Sequence, residues 1–286
     1  MEVLRYTAFS QDPTGGNPAG VVLDAAGADS DAMQEVAAEV GYSETAFLFP
    51  LTDDEFVVRY FSPEAEVSFC GHATIATAVA QAERRGPGAL TLHTRSGRVD
   101  VVTERDRTGS LAATLTSVAP QLADLTEADL TALLGALAWQ RSDLDPALPP
   151  RVAFAGAWHP VLAARAPERL AGLDYDFYAL RALMACRGWT TVDLLWRESA
   201  TRFHCRNPFP PGGVVEDPAT GAAAAALGGY LRALDLVPVP ATVTVLQGAE
   251  MGRPSELRVH IPAEPDSGIR VTGHAVALPQ AVVATG

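Results

Sequence analysis

The stretch "VVEDPATGAAAAALGGYL" (residues 214–231) decides the fold. Two valines run into the acidic pair Glu216 and Asp217, a Pro/Gly turn follows, and no charge occurs from Ala222 to Leu231. A helix that is apolar all round is a buried helix. Its alanines and glycines let neighbouring backbone approach closely on every side. A second stretch of the same plan, "AEVSFCGHATIATAVAQAE" (residues 65–83), sets Cys70, Gly71 and His72 before a run, Ala73 to Ala82, that is equally free of charge. Strand-like runs outnumber helical ones around both, among them Val3 to Phe9, Phe56 to Phe61 and Val192 to Trp196. The expected architecture is therefore α+β: two similar domains, each a mostly antiparallel β-structure wrapped around a central buried helix. The domains are placed at 1–118 and 125–271, with a linker near 117–124. Three further helices are expected: "SDAMQEVAAEVG", capped by Ser30 and ended by Gly41; "TEADLTALLGAL", opened by a capping box of Thr126 with Asp129; and "DYDFYALRALMACRG".

Composition narrows the function. The apolar fraction of 48% with 19% charged residues is that of a globular protein. A formal net charge of -13 disfavours nucleic acid and anionic membrane surfaces as partners, because either needs a basic face. No apolar run approaches the roughly 18 residues of a membrane span. The N-terminal "MEVLRYTAF" alternates like a strand and lacks the pattern of a signal peptide. Cys70, Cys186 and Cys205 are too few and too scattered for a disulfide framework. A cytoplasmic protein is expected. The chain contains no lysine, which excludes Schiff-base chemistry and a P-loop.

A helix N-terminus presents unpaired N–H groups and roughly half a positive charge. Two buried helices opening on one cleft would make a binding place for a carboxylate. The groups at those ends are Cys70, Gly71 and His72 on one side and Asp217, Thr220 and Gly221 on the other. Glu44 in "GYSETAFLF" sits beside Ser43 at the start of an apolar strand.

"GNPAGVV" (16–22), "SETAF" (43–47), "RYFSPEAEVSFCGHAT" (59–74), "EDPATG" (216–221) and "QGAEMGRPS" (247–255) occur in one order across most of the chain. Together they resemble the signatures of the PhzF-like family of phenazine biosynthesis, which has the diaminopimelate epimerase fold. The resemblance implies an active site between two domains, a C-terminal strand (272–286) that completes the first domain, and a homodimer. It implies an isomerase that moves a proton on a small carboxylate-bearing metabolite without metal or organic cofactor. The family's catalytic residues fall on Glu44, His72 and Asp217. Ser43, Cys70, Gly71 and Ala73 are expected to bind substrate at the first helix mouth, and Thr220, Gly221 and Ala222 at the second. The family commonly has Thr-Gly-Ser where this chain has Thr220-Gly221-Ala222, so a hydroxyl is missing. In the implied mechanism Glu44, its pKa raised by an apolar site, removes a proton from an acidic carbon and returns it elsewhere.

Other readings remain open at the level of sequence. Cys70 could serve a thiol-based racemase, although no second thiol stands near Ala222, or it could be a small buried filler. Cys70 and His72 with His204 and Cys205 offer zinc-ligand types without a recognised spacing. His72 and Asp217 could simply cap their helices. The loss of the serine at Ala222 fits a catalytically silent homologue that only binds small acids or acts as a scaffold.

Overall fold

The computed structural model describes residues 1–279. The fold is mixed α/β, with many strands and few helices. The chain divides into two compact units, one formed by Met1–Leu115 with the residues from Thr272 on, the other by Thr116–Val271. Residues 280–286, part of the segment expected to complete the first domain, lie outside the described residues.

In the first unit the strands are β1 (Leu4–Ala8), β2 (Asn17–Val22), β3 (Glu44–Pro50), β4 (Glu55–Phe61), β5 (Glu66–Val67), β6 (Ala89–Thr94), β7 (Gly97–Arg105) and β8 (Leu111–Thr116). The helices are α1 (Ser30–Val40) and α2 (Gly71–Arg85). Pairing alternates in direction: β1 with β2 antiparallel, β2 with β3 parallel, β3 with β4 antiparallel, β4 with β6 parallel, β6 with β7 antiparallel. Parallel neighbours require a long crossover, and α1 and α2 supply the two. Every residue of α2 from His72 to Ala82 is buried, as its uncharged sequence requires. α1 is amphipathic instead, burying Met33 and Ala37 against Val22, Phe47 and Phe61. Its N-cap is Asp29, whose side chain accepts from the Ala32 N–H, and not the Ser30 expected from sequence. Both residue types cap well, and the one with the extended backbone takes the role. Gly41 closes the helix in the left-handed conformation, φ 70°, and delivers the chain into β3 at Glu44.

The second unit contains β9 (Gln121–Asp124), α3 (Glu127–Ala136), β10 (Arg151–Phe154), β11 (Trp158–Ala163), α4 (Pro167–Ala171), α5 (Phe177–Arg187), β12 (Asp193–Arg197), β13 (Arg202–Pro208), β14 (Glu216–Asp217), α6 (Gly221–Ala233), β15 (Ala241–Gln247) and β16 (Ser255–Ile261). The same succession of pairings recurs: β10–β11 antiparallel, β11–β12 parallel, β12–β13 antiparallel, β13–β15 parallel, β15–β16 antiparallel. α6 is the second crossover here and is buried along Ala223–Leu231. Its glycines are spatial necessities, since a Cβ on Gly229 would stand 2.4 Å from Cβ of Pro120. The expected linker is corrected at its end: Gln121–Asp124 is strand β9, paired antiparallel with β10. Thr126 caps α3 as expected, accepting from the Asp129 N–H. The last strand, β17 (Arg270–Ala277), pairs with β1 (Thr7 opposite Val276) and with β8, closing the first unit's ladder on itself.

A polar chain crosses the strands of the second unit. The Thr191 hydroxyl donates to Asn207 Oδ1 at 2.7 Å, so its oxygen is left to accept from Nδ1 of His159 at 2.8 Å. Asn207 Nδ2 donates to Asp193 Oδ1 at 3.3 Å. Among the described residues, the side-chain atoms His159 Nε2 and Asp193 Oδ2 have no hydrogen-bond partner. Burial lowers the His159 pKa to about 4 and pushes that of Asp193 up to about 7. The two act on stability in opposite senses. His159 binds its proton less readily folded than unfolded, so stability falls as pH drops from 6.5 towards about 4. Asp193 holds its proton more tightly folded, so stability falls as pH rises from 3.8 towards about 7. Asp193→Asn removes the second slope and leaves the first. Urea-unfolding free energies of the variant are expected to fall more steeply than wild type between pH 6.5 and 4, by up to about 1.4 kcal/mol per pH unit. Equal slopes in the two proteins would show that Asp193 does not retain its proton.

Candidate active site

In the first unit, four of the residues singled out from sequence converge at the N-terminus of α2. Cys70 is the N-cap residue, with extended backbone, and its side chain makes no capping hydrogen bond. Its thiol donates instead to Glu44 Oε2 at 3.5 Å and lies 3.3 Å from His72 Nδ1. His72 Nε2 is 3.4 Å from Glu44 Oε2 and 3.3 Å from Ser43 Oγ. The contact with Glu44 is an ion pair only when His72 carries two ring protons and Glu44 none. Burial raises the Glu44 pKa above the ordinary carboxylate value, and hydrogen bonds from Ser43 and Cys70 to the carboxylate pull partly the other way. Gly71 and Ala73 contribute the backbone of the helix's first turn.

The turn is fixed from behind by residues that sequence reasoning passed over. Both the N–H and the hydroxyl of Thr74 donate to the Cys70 carbonyl, at 3.0 and 2.7 Å. The Tyr60 hydroxyl lies 2.6 Å from Thr74 Oγ1 in a fully buried setting. Both lie in the motif at 59–74 without an assigned role, and Tyr60 is a strand residue whose orientation period-2 alternation alone does not assign.

In the second unit, the acidic pair separates. Successive residues of a strand face opposite sides, and Glu216 turns inward to a two-pronged ion pair with Arg206, Oε1 to Nε 2.9 Å and Oε2 to Nη2 2.6 Å. Arg206 also donates to the Ala171 carbonyl at 2.7 Å. Asp217 is half-buried and accepts from the Thr220 hydroxyl at 2.5 Å. Thr220 is the N-cap residue of α6 without a side-chain cap, so Gly221 and Ala222 open the helix beside Asp217. Gln247 holds this corner: its Oε1 accepts from the Thr220 N–H at 3.1 Å, while its Nε2 donates to the Asp217 carbonyl at 2.7 Å and to Thr220 Oγ1 at 3.0 Å. Gly248 beside it has φ 77°, and a Cβ there would meet the Pro218 carbonyl at 2.6 Å. The Gln-Gly pair was visible in "QGAEMGRPS", but its partner thirty residues earlier was not.

Chemically, the first corner offers a half-buried carboxyl of raised pKa in hydrogen-bonding range of a thiol, a hydroxyl and an imidazole. The second offers a carboxyl tied to a hydroxyl at a helix mouth. His204 and Cys205, considered from sequence as zinc ligands, have partners within the second unit: His204 bonds to Glu198 at 2.7 Å and Cys205 is buried next to Asp193.

Residues 6–281 match the family described as phenazine biosynthesis-like protein. The chain belongs to that family. A phenazine biosynthesis-like relative in Escherichia coli, named an uncharacterized isomerase, is 32% identical over 95% of this chain and 93% of its own length. The trans-2,3-dihydro-3-hydroxyanthranilate isomerase of Pseudomonas aeruginosa is 30% identical over 94% of each chain. The solved structure of a PhzF-family phenazine biosynthesis protein from Bacillus anthracis aligns with a TM-score of 0.87 at 25% identity, over 97% of this chain and 98% of its own. A probable proline racemase from Agrobacterium radiobacter, 14% identical with a TM-score of 0.66 over 96% and 90% of the two chains, has the same fold. As a member of the phenazine biosynthesis-like family, the chain is an isomerase-class enzyme.

The different surroundings of Glu216 and Asp217 set up a contrast in stability. Arg206→Met strands the buried Glu216 carboxylate and is expected to cost about 3–5 kcal/mol in urea unfolding. Asp217→Asn keeps the shape of a half-buried group and is expected to stay within about 1 kcal/mol of wild type. Equal losses in the two variants would show that Asp217 is as structural as its neighbour.

Proposed function

We propose that this protein is a cofactor-independent isomerase or epimerase that moves a proton on a small carboxylate-bearing metabolite, with Glu44 as the shuttling group. The observation that carries the reading is the half-buried Glu44 carboxyl, its pKa raised by desolvation and its oxygen 3.5 Å from the Cys70 thiol and 3.4 Å from His72. A carboxylate in such a place is a stronger base than one in water, and after taking a proton it is an acid that can return it. Glu44 removes a proton from a carbon acidified by a neighbouring carbonyl, carboxylate or diene and returns it elsewhere on the same face, so no atoms are gained or lost. His72 and Ser43 orient the carboxyl and the substrate's polar groups. The first-turn N–H groups at Gly71 and Ala73, and those at Gly221 and Ala222, bind substrate oxygens, and Asp217 is a second acid–base or binding group. Cys70 donates to Glu44 and is not itself the base. The name of the Pseudomonas aeruginosa relative favours hydroxylated cyclic dienoic amino acids among the possible substrates.

Two similar domains, Met1–Leu115 with the returning C-terminal strand and Thr116–Val271, belong to the same reading; the shared succession of strand pairings supports it. So do a homodimer, which light scattering checks, and a cytoplasmic setting, where Cys70, Cys186 and Cys205 remain free thiols.

The test is proton exchange in heavy water with a panel of amino acids and cyclic dienoic acids that includes trans-2,3-dihydro-3-hydroxyanthranilate. Glu44→Gln is expected to slow deuterium incorporation by about 10² to 10⁴, whereas Cys70→Ser is expected to retain it within about tenfold. Uptake unchanged in Glu44→Gln removes Glu44 from the mechanism, and abolition by Cys70→Ser favours a thiol base. Binding without exchange for every acid in the panel makes the protein a silent homologue, the reading that Ala222 keeps in play. Because the base must be unprotonated, activity is expected to fall with decreasing pH on a limb centred above 4.5, the ordinary value for a glutamate.

A further inference from the structure

We propose that Glu44, Cys70 and His72 form an inhibitory binding site for a thiophilic divalent cation of the Zn2+ class. The inhibition rests on the acid–base role given to Glu44; the binding does not. Among the described residues, these three are the group of His, Cys, Asp and Glu side chains whose ligand atoms all come within 4.8 Å of one another. Glu44 Oε2, Cys70 Sγ and His72 Nε2 form a triangle with edges of 3.5, 3.7 and 3.4 Å. Tetrahedral zinc binds sulfur at about 2.3 Å and nitrogen or oxygen at about 2.0–2.1 Å, which sets the sulfur edges of its ligand face near 3.6 Å and the nitrogen–oxygen edge near 3.3 Å. The three distances match the edges of one face of that tetrahedron, and because Cys70 Sγ lies beside the ring, 3.3 Å from Nδ1 and 3.7 Å from Nε2, the imidazole turns on binding to aim its lone pair at the ion.

Donor type narrows the choice further. Thiolate with imidazole suits zinc and its chemical neighbours, while magnesium and calcium prefer oxygen alone. Three protein ligands leave a fourth position open for water or an oxygen of the substrate. Charge also balances: a thiolate and a carboxylate neutralise a divalent ion, so Cys70 and His72, 7% and 6% exposed, need not hold a net charge out of water. The positive end of α2 opposes a cation but stabilises the thiolate that binds it, and its half charge is smaller than the two anionic ligands. Thr74 and Tyr60 fix the Cys70 backbone, and Ser43 contacts the imidazole. Binding transfers the thiol proton to solvent, and the proton on Glu44 when it has one. The bound ion then occupies the lone pairs with which Glu44 would take a proton from substrate.

Cobalt(II), which reports its ligands by colour, is the probe, added to metal-free full-length protein with Cys186→Ser as the background to remove the exposed thiol. One equivalent is expected to give a thiolate-to-cobalt charge-transfer band in the near ultraviolet and the intense visible bands of a tetrahedral ion. Both bands should disappear on adding one equivalent of zinc. Cys70→Ser, with unchanged circular dichroism and melting, is expected to lose the charge-transfer band. Glu44→Gln is expected to weaken zinc at least tenfold in competition with a chromogenic chelator. Absence of the band, or equal zinc affinity in Cys70→Ser, overturns the site and leaves the heavy-water test standing, since that assay uses no metal. A bound ion that leaves deuterium exchange at its full rate overturns the inhibition and removes Glu44 as the base.

Discussion

The structure depends on enclosing two helices that have no polar face. A helix such as α2, buried from His72 to Ala82, cannot lie on a surface and must be surrounded. Strands do this without leaving backbone groups unpaired, because their N–H and C=O groups bond within the ladder. The small side chains set how closely they approach, as Gly228 does with Val259 and Ile269 and Gly229 with Pro120. An enclosed helix can still direct unpaired polar groups outward through its ends, and the first-turn N–H groups carry its positive pole. The side chains gathered at those ends, Glu44 and Cys70 in one unit and Asp217 and Thr220 in the other, follow from that enclosure.

Much of this was legible in the chain because it concerned the absence of charge, which any single sequence displays. α2 and α6 stand out from "ATIATAVAQA" and "AAAAALGGYL" with no knowledge of their partners. The position of Glu44 was legible only through the company of its motifs, since an acid after serine at a strand start is ordinarily solvated. What resisted reading depended on long-range partners. Gln247 bonds across 30 residues to the Asp217 carbonyl, and Tyr60 across 14 to Thr74. Strand β9 looked like part of a linker because the stretch near 117–124 carries Pro, Gln and Asp, and its pairing with β10 makes it a strand. The exchange of Ser30 for Asp29 as the cap reflects two adjacent competent residues separated only by backbone angle.

The two units also show how one residue type is put to different uses by its surroundings. Glu216 is buried and matched by a two-pronged guanidinium, which fixes it as a charged structural group. Asp193 is buried with no cation and is held towards its neutral form. Glu44 is less buried than either and stands beside a hydroxyl, a thiol and an imidazole, a setting in which a carboxyl can exchange its proton. Burial and neighbours together distinguish the three.

The return of β17 to β1 and β8 has a consequence for the order of assembly. The second unit is one uninterrupted segment, Thr116–Val271, all of which has been synthesised before Thr272 is added. The first unit begins earlier and is completed later, since the outer edges of β1 and β8 have to wait for more than 150 residues of intervening chain. During that wait they are open strand edges, the feature that pairs with other chains when left exposed. The active-site carboxylate Glu44 is thus encoded near the start of the chain, in a unit whose ladder closes last.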